Sequence, residues 1–141
     1  MVHRRGGFTL LELLAGVGMA GILAGVGVVQ LVQLVNGMRL AGAARTLATD
    51  LRLARGHAMS TGVTVDVVLD GAGGTWLARE RGGATFETRA LPPGVTFVSL
   101  PARGRLRFGA LGTADNGTVA LGGAGSTRSI VVNQRGRVHL Q

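Results

Sequence analysis

The lone carboxylate Glu12 is the first residue whose placement could do chemistry, because from Phe8 to Met38 it is the only charged side chain. An ionised carboxylate on a membrane helix costs roughly 2.5–3.5 kcal/mol at the bilayer centre and less near an end, so it persists where a cation meets it. Were the chain cut after Gly7 in Gly6-Gly7-Phe8-Thr9-Leu10-Leu11-Glu12, the new amine of Phe8 would lie one helical turn from Glu12. That amine would then pair with Glu12 of its own chain or of a neighbour; the other reading is an interfacial glutamate that reaches back to water. Two further sets of residues invite a chemical reading. Arg103, Arg105 and Arg107 alternate with Gly104, Leu106 and Phe108, and Arg135, Arg137 and His139 alternate with Gly136, Val138 and Leu140. On strands, alternate residues share a face, so each trio is expected to form a basic ladder with steps of roughly 6.5–7 Å, near the phosphate spacing of a nucleic-acid strand. Three readings of these ladders stay open: the solvated side of amphipathic strands, a DNA contact, or a contact with an acidic protein.

Other chemistry is poorly supported. The chain has 141 residues, 15 arginines and no lysine against 7 acids, a net charge of +8 and no cysteine. Thiol catalysis, disulfide frameworks and iron–sulfur sites are thereby excluded. Gly16-Val17-Gly18-Met19-Ala20-Gly21 fits a dinucleotide-binding spacing, but no strand precedes it and it lies within the apolar run, so it is a chance match. Beyond the first few residues only His57 and His139 remain, with no Ser/His/Asp set or carboxylate pair inferable around them. No catalytic residue, metal site or cofactor is expected, and the protein is read as a non-enzyme. A mean hydropathy of +0.36 with 16% charged residues also excludes a disordered tail.

The elements that position these residues follow from hydrophobic period. The apolar run of about 30 residues exceeds the roughly 20 that cross a bilayer and the core of a cleavable secretory signal. Arg4 and Arg5 precede it, which by the positive-inside rule keeps the N-terminus cytoplasmic and puts the rest on the far side. Six glycines punctuate the run, with Gly21 and Gly25 four apart. They fit either a helix built to pack closely on similar helices or a simple anchor that tolerates them. Beyond it, Leu40, Ala44, Leu47, Leu51, Ala54 and Ala58 form one stripe. One helix from about Phe8 to about Met59 is therefore predicted, apolar all round in its first half and amphipathic in its second. After Thr61-Gly62 the period becomes two. Strands are predicted at Val63–Leu69, Thr75–Glu80, Thr85–Leu91, Val95–Leu100, Arg105–Phe108, Thr118–Leu121, Ser129–Val132 and Arg137–Leu140. Short strands packed on an amphipathic helix make an α+β domain.

A basic leader ending in Gly7, then Phe8-Thr9-Leu10-Leu11-Glu12 and a long apolar helix, resembles the type IV prepilins and the pseudopilins of type II secretion. Ala54-Arg55-Gly56-His57-Ala58, the central Trp76 and the closing Ile130–Val138 segment resemble the GspH/FimT family of minor pilins. The resemblance implies a type IV pilin-like fold, a long N-terminal helix packed on a C-terminal antiparallel β domain. It divides the chain into a leader at 1–7, a transmembrane and filament-core helix at 8–38, its amphipathic continuation at 39–61 and a β-rich domain at 62–141. It implies that prepilin peptidase cuts between Gly7 and Phe8 and N-methylates Phe8, and that Glu12 guides assembly with other pilins or pseudopilins. The expected location is the bacterial inner membrane, single-pass, with the globular domain periplasmic, and then a pilus or pseudopilus. The implied function is a minor subunit serving protein export; the alternative is a FimT-like minor pilin that contacts DNA during uptake through Arg103, Arg105, Arg107, Arg135 and Arg137. The family ending Gly-Arg-x-Arg appears here as Gly136-Arg137-Val138-His139, with a mostly neutral histidine in the last basic position.

Overall fold

The computed structural model describes residues 9–141, so the leader at 1–7 and the expected cleavage bond between Gly7 and Phe8 lie outside the described residues. One helix and eight strands follow in order: α1 (Leu10–Thr61), β1 (Val65–Asp70), β2 (Thr75–Glu80), β3 (Thr85–Ala90), β4 (Thr96–Ser99), β5 (Arg105–Phe108), β6 (Gly117–Gly123), β7 (Ser126–Val132) and β8 (Val138–Leu140). The chain divides after Val35 into two compact units.

In the first unit α1 is started by its own side chains. The Glu12 N–H donates to Thr9 Oγ1 (3.3 Å) and the Thr9 N–H donates to Glu12 Oε2 (3.5 Å). This reciprocal pair is a capping box, in which Thr9 and Glu12 each satisfy a backbone donor that the first helical turn leaves open. The first helical bond, from the Leu13 N–H to the Thr9 carbonyl, measures 3.1 Å. The described large apolar side chains from Leu10 to Val35 stand exposed, among them Leu11, Leu14, Val17, Ile22, Leu23 and Leu31. This helix is long and apolar enough to cross a membrane.

In the second unit α1 has two unlike faces. Leu40, Ala44, Leu47, Leu51, Ala54 and Ala58 are all buried, and Ala43 and Ala48 widen the stripe. Five of these eight are alanines, which bring the helix backbone close to the sheets. The helix stops at Gly62, whose φ of 71° only glycine adopts without strain, and whose N–H closes on the Ala58 carbonyl at 3.1 Å.

All eight predicted strands are present, Thr75–Glu80 and Arg105–Phe108 to the residue and the others with ends moved by at most three residues. They form two antiparallel four-stranded sheets, ordered β3-β2-β1-β5 and β4-β6-β7-β8. Strand β5 thus pairs with β1, Val65 facing Phe108 and Val68 facing Arg105. Inward residues of both sheets (Val65, Val67, Trp76, Leu106, Phe108, Val119, Leu121, Ile130, Val132) join the helix stripe in a single core. The core margin holds a buried polar knot. Asp50, 4% exposed, accepts the Trp76 indole N–H at 2.9 Å and faces the Arg89 guanidinium at 3.1 Å.

Candidate functional site

The first predicted ladder does not form. Arg103 sits in a turn closed by the Gly104 N–H on the Pro101 carbonyl (2.8 Å), and Gly104 has a positive φ of 60°. Chain reversal there takes Arg103 out of the strand. Arg105 and Arg107 do point to the sheet face away from the core, because Leu106 and Phe108 fill the other face. On that face Arg107 is paired: its Nε donates to Asp66 Oδ1 at 2.8 Å. The hydrogen bond and the charge of Asp66 push the Arg107 pKa upward. Arg107 therefore stays charged, and the stability linked to its raised pKa is present below the ordinary arginine value and lost as pH rises past the raised one.

Arg105 differs again, since its Nε is buried with no hydrogen-bond partner. A buried unsatisfied donor costs about 1–3 kcal/mol. Arg105→Met keeps the aliphatic stem and removes the orphan, so thermal denaturation is expected to show unchanged or slightly higher stability, by up to about 1 kcal/mol.

The second trio is also not a ladder. Asn133 Oδ1 accepts the backbone N–H groups of Arg135 (3.0 Å) and Arg137 (2.9 Å). The Gly136 N–H closes on the Asn133 carbonyl at 2.9 Å. This asparagine-centred turn, a common use of the Asn side chain, places Arg135 at the tip of the β7–β8 hairpin. Arg137 stands just before β8, and only His139 lies within it.

What the hairpin does instead is bring Arg137 and His139 beside two arginines of α1. Arg52 Nη2 donates to the Val138 carbonyl (3.2 Å), and Arg55 Nε donates to the Gly112 carbonyl (3.0 Å). Arg52, Arg55, Gly136, Arg137, Val138 and His139 line a surface cleft of about 300 Å³. Gly136 makes this fit possible. Its φ is +69°, and a Cβ there would overlap the Gly112 carbonyl oxygen and lie 2.6 Å from Arg55 Nε. In the sequence Arg52 simply falls off the Leu40–Ala58 stripe, and Arg55 stands in the Ala54–Ala58 segment. Nothing in local spacing links them to a hairpin some eighty residues on.

The remaining candidates have structural partners. His57 Nε2 lies 2.8 Å from Glu80 Oε1, and its ring sits 4.4 Å from that of Phe86. At the other end of α1, Glu12 belongs to the capping box. The Thr-x-x-Glu spacing of Thr9 and Glu12 is the signal that would have revealed it.

A long helix packed by its second half on antiparallel sheets is the architecture of type IV pilin-like subunits. The family model described as type II transport protein GspH matches residues 43–136. The chain belongs to that family. Among solved structures it is similar to the minor pseudopilin EpsH from the type 2 secretion system of Vibrio cholerae, at 15% identity and a TM-score of 0.62, over 73% of this chain and 96% of that one. It is also similar to the type IV minor pilin FimU of Pseudomonas aeruginosa, at 23% identity and a TM-score of 0.61, over 72% of this chain and 87% of that one. No curated protein sequence matches significantly.

Proposed function

We propose that the chain is a minor pilin-like subunit with a structural role. Prepilin peptidase cuts it between Gly7 and Phe8 and methylates Phe8. The apolar helix then holds it in the bacterial inner membrane, N-terminus cytoplasmic and globular unit periplasmic. From there it enters a type II secretion pseudopilus or a type IV pilus.

The observation that carries this reading is the helix surface before Val35. Its described large apolar side chains stand exposed, and by sequence Glu12 is its only charge. Such a surface requires lipid or other helices around it. Exchange of lipid for neighbouring helices changes apolar burial little, so association rests on close packing and polar contacts. Glu12 supplies the polar contact. Its carboxylate caps its own helix start, next to where a processed Phe8 amine would lie, so own-chain and neighbouring amines compete for one acceptor.

Mass spectrometry of the native protein is expected to give a chain that begins at Phe8 with one added methyl group. Glu12→Ala is expected to lower incorporation into filaments about tenfold or more, while Glu12→Gln, which still caps the helix but carries no charge, fails equally. An N-terminus still at Met1, or normal incorporation of Glu12→Ala, would overturn the proposal.

DNA contact during uptake is the second reading. In its favour is the charge beyond Met38, where thirteen arginines face six carboxylates. Against it stand the two ladders, neither of which has the regular spacing that a phosphate backbone would meet.

A further inference from the structure

We infer that the cleft between α1 and the β7–β8 hairpin docks an acidic segment of a neighbouring polypeptide that also carries an aliphatic side chain. The charge in the cleft is one-sided. Arg52, Arg55, Arg137 and His139 line it, and no carboxylate does. The acids beyond Met38 are engaged elsewhere: Asp50 and Glu87 with Arg89, Asp66 with Arg107, and Glu80 with His57. Asp70 caps the Ala72 N–H, and Asp115 lines a different hollow with Arg103 and Arg105.

The two helix arginines are also held still. Each gives one N–H to a backbone carbonyl, which fixes the direction of its remaining donors. Side chains ordered before binding lose less entropy when a ligand arrives, and the planar guanidinium fork suits a carboxylate. Freely solvated arginines would not be anchored in this way.

An apolar knob adjoins the charges. Leu111 is 92% exposed, and it precedes Gly112, whose carbonyl holds Arg55. Half-exposed Met59 lies alongside, since a Cβ on Gly112 would come 2.9 Å from its sulfur. Arginines beside a protruding leucine match an acidic segment with an aliphatic residue. Single-stranded nucleic acid would call for exposed rings on which bases stack. Trp76 and Phe108 are buried, and Phe86 lies against His57, so no ring of theirs serves the cleft.

That the segment belongs to a neighbouring filament subunit rests on the assembly reading above; the chemistry of the cleft does not. The test uses the full chain in detergent micelles and a fluorescent peptide of alternating glutamate and leucine, followed by anisotropy. Saturable binding is expected. Arg52→Gln with Arg137→Gln should weaken it about tenfold. Leu111→Ser, a change at a side chain that packs on nothing, should weaken it about threefold. Arg79→Gln with Arg128→Gln, which removes the same charge elsewhere, should change it less than about twofold. Absence of saturable binding would overturn the inference, as would equal losses from both double variants. Tighter binding of a single-stranded oligonucleotide than of the peptide, with no effect of Leu111→Ser, would assign the cleft to nucleic acid instead. These results are independent of the Glu12 experiment, so either proposal can fail alone.

Discussion

Gly136→Ala is expected to destabilise the globular unit by about 3 kcal/mol or more, the sum of two penalties that act at one atom. A residue with a Cβ at a φ of +69° pays roughly 1–2 kcal/mol for the left-handed conformation. The added methyl would also overlap the Gly112 carbonyl oxygen and press on Arg55 Nε at 2.6 Å and Cδ at 2.9 Å. The neighbour that must give way is backbone, and the Arg55 bond to Gly112 goes with it. In thermal denaturation of the full chain in detergent, a fall of roughly 12 °C or more is expected for a unit of this size. Gly125→Ala provides the control. Gly125 has a similar φ of +73°, but nothing lies within 4 Å of its would-be Cβ, so only the conformational penalty of about 1–2 kcal/mol remains. Equal losses at the two sites would show that the contact with Gly112 and Arg55 does not exist.

Asp50→Ala is the second large effect, expected at about 3 kcal/mol. Its carboxylate is 4% exposed and accepts the Trp76 indole N–H while facing Arg89. Truncation strands a buried donor on Trp76. Arg89 suffers less, because its side chain is half exposed and keeps Glu87 at 3.0 Å. Asp50→Asn retains an acceptor for the indole and should lose only about 1 kcal/mol. Trp76→Phe removes the donor from the other side of the bond. In denaturant melts the double variant Asp50→Ala/Trp76→Phe should therefore cost less than the sum of the single changes, since the second removes the group that the first leaves unpaired. Strict additivity would refute the bond.

Those two sites also mark where sequence reading succeeds and where it stops. The stripe from Leu40 to Ala58 and the alternation in Val65, Val67 and Leu69 both identify core residues, because burial of one face imposes a period that any single segment displays. Which strands pair is a different matter. Strand β5 joins β1 across β2, β3 and β4, and no local pattern encodes that partner. Alternating arginines misled for a physical reason as well. Arg103 and Arg135 carry the strand period, but Gly104 and Gly136 take positive φ values beside them, and Asn133 captures two backbone N–H groups. Turn chemistry overrode the alternation. The cleft was beyond reach because Arg52 and Val138 stand 86 positions apart.

The bonds from Arg52 to strand β8 and from Arg55 to the Gly112 loop have a mechanical meaning. If the proposed role holds and the chain is drawn out of a bilayer by its N-terminal helix, the pull enters the globular unit through the second half of α1. Tension then reaches the sheets through the alanine-rich seam and both guanidinium latches together, in shear. Contacts strained in parallel share the force, whereas contacts peeled one after another each bear it alone. The short link from Thr61 to Val65 would then not carry the load alone.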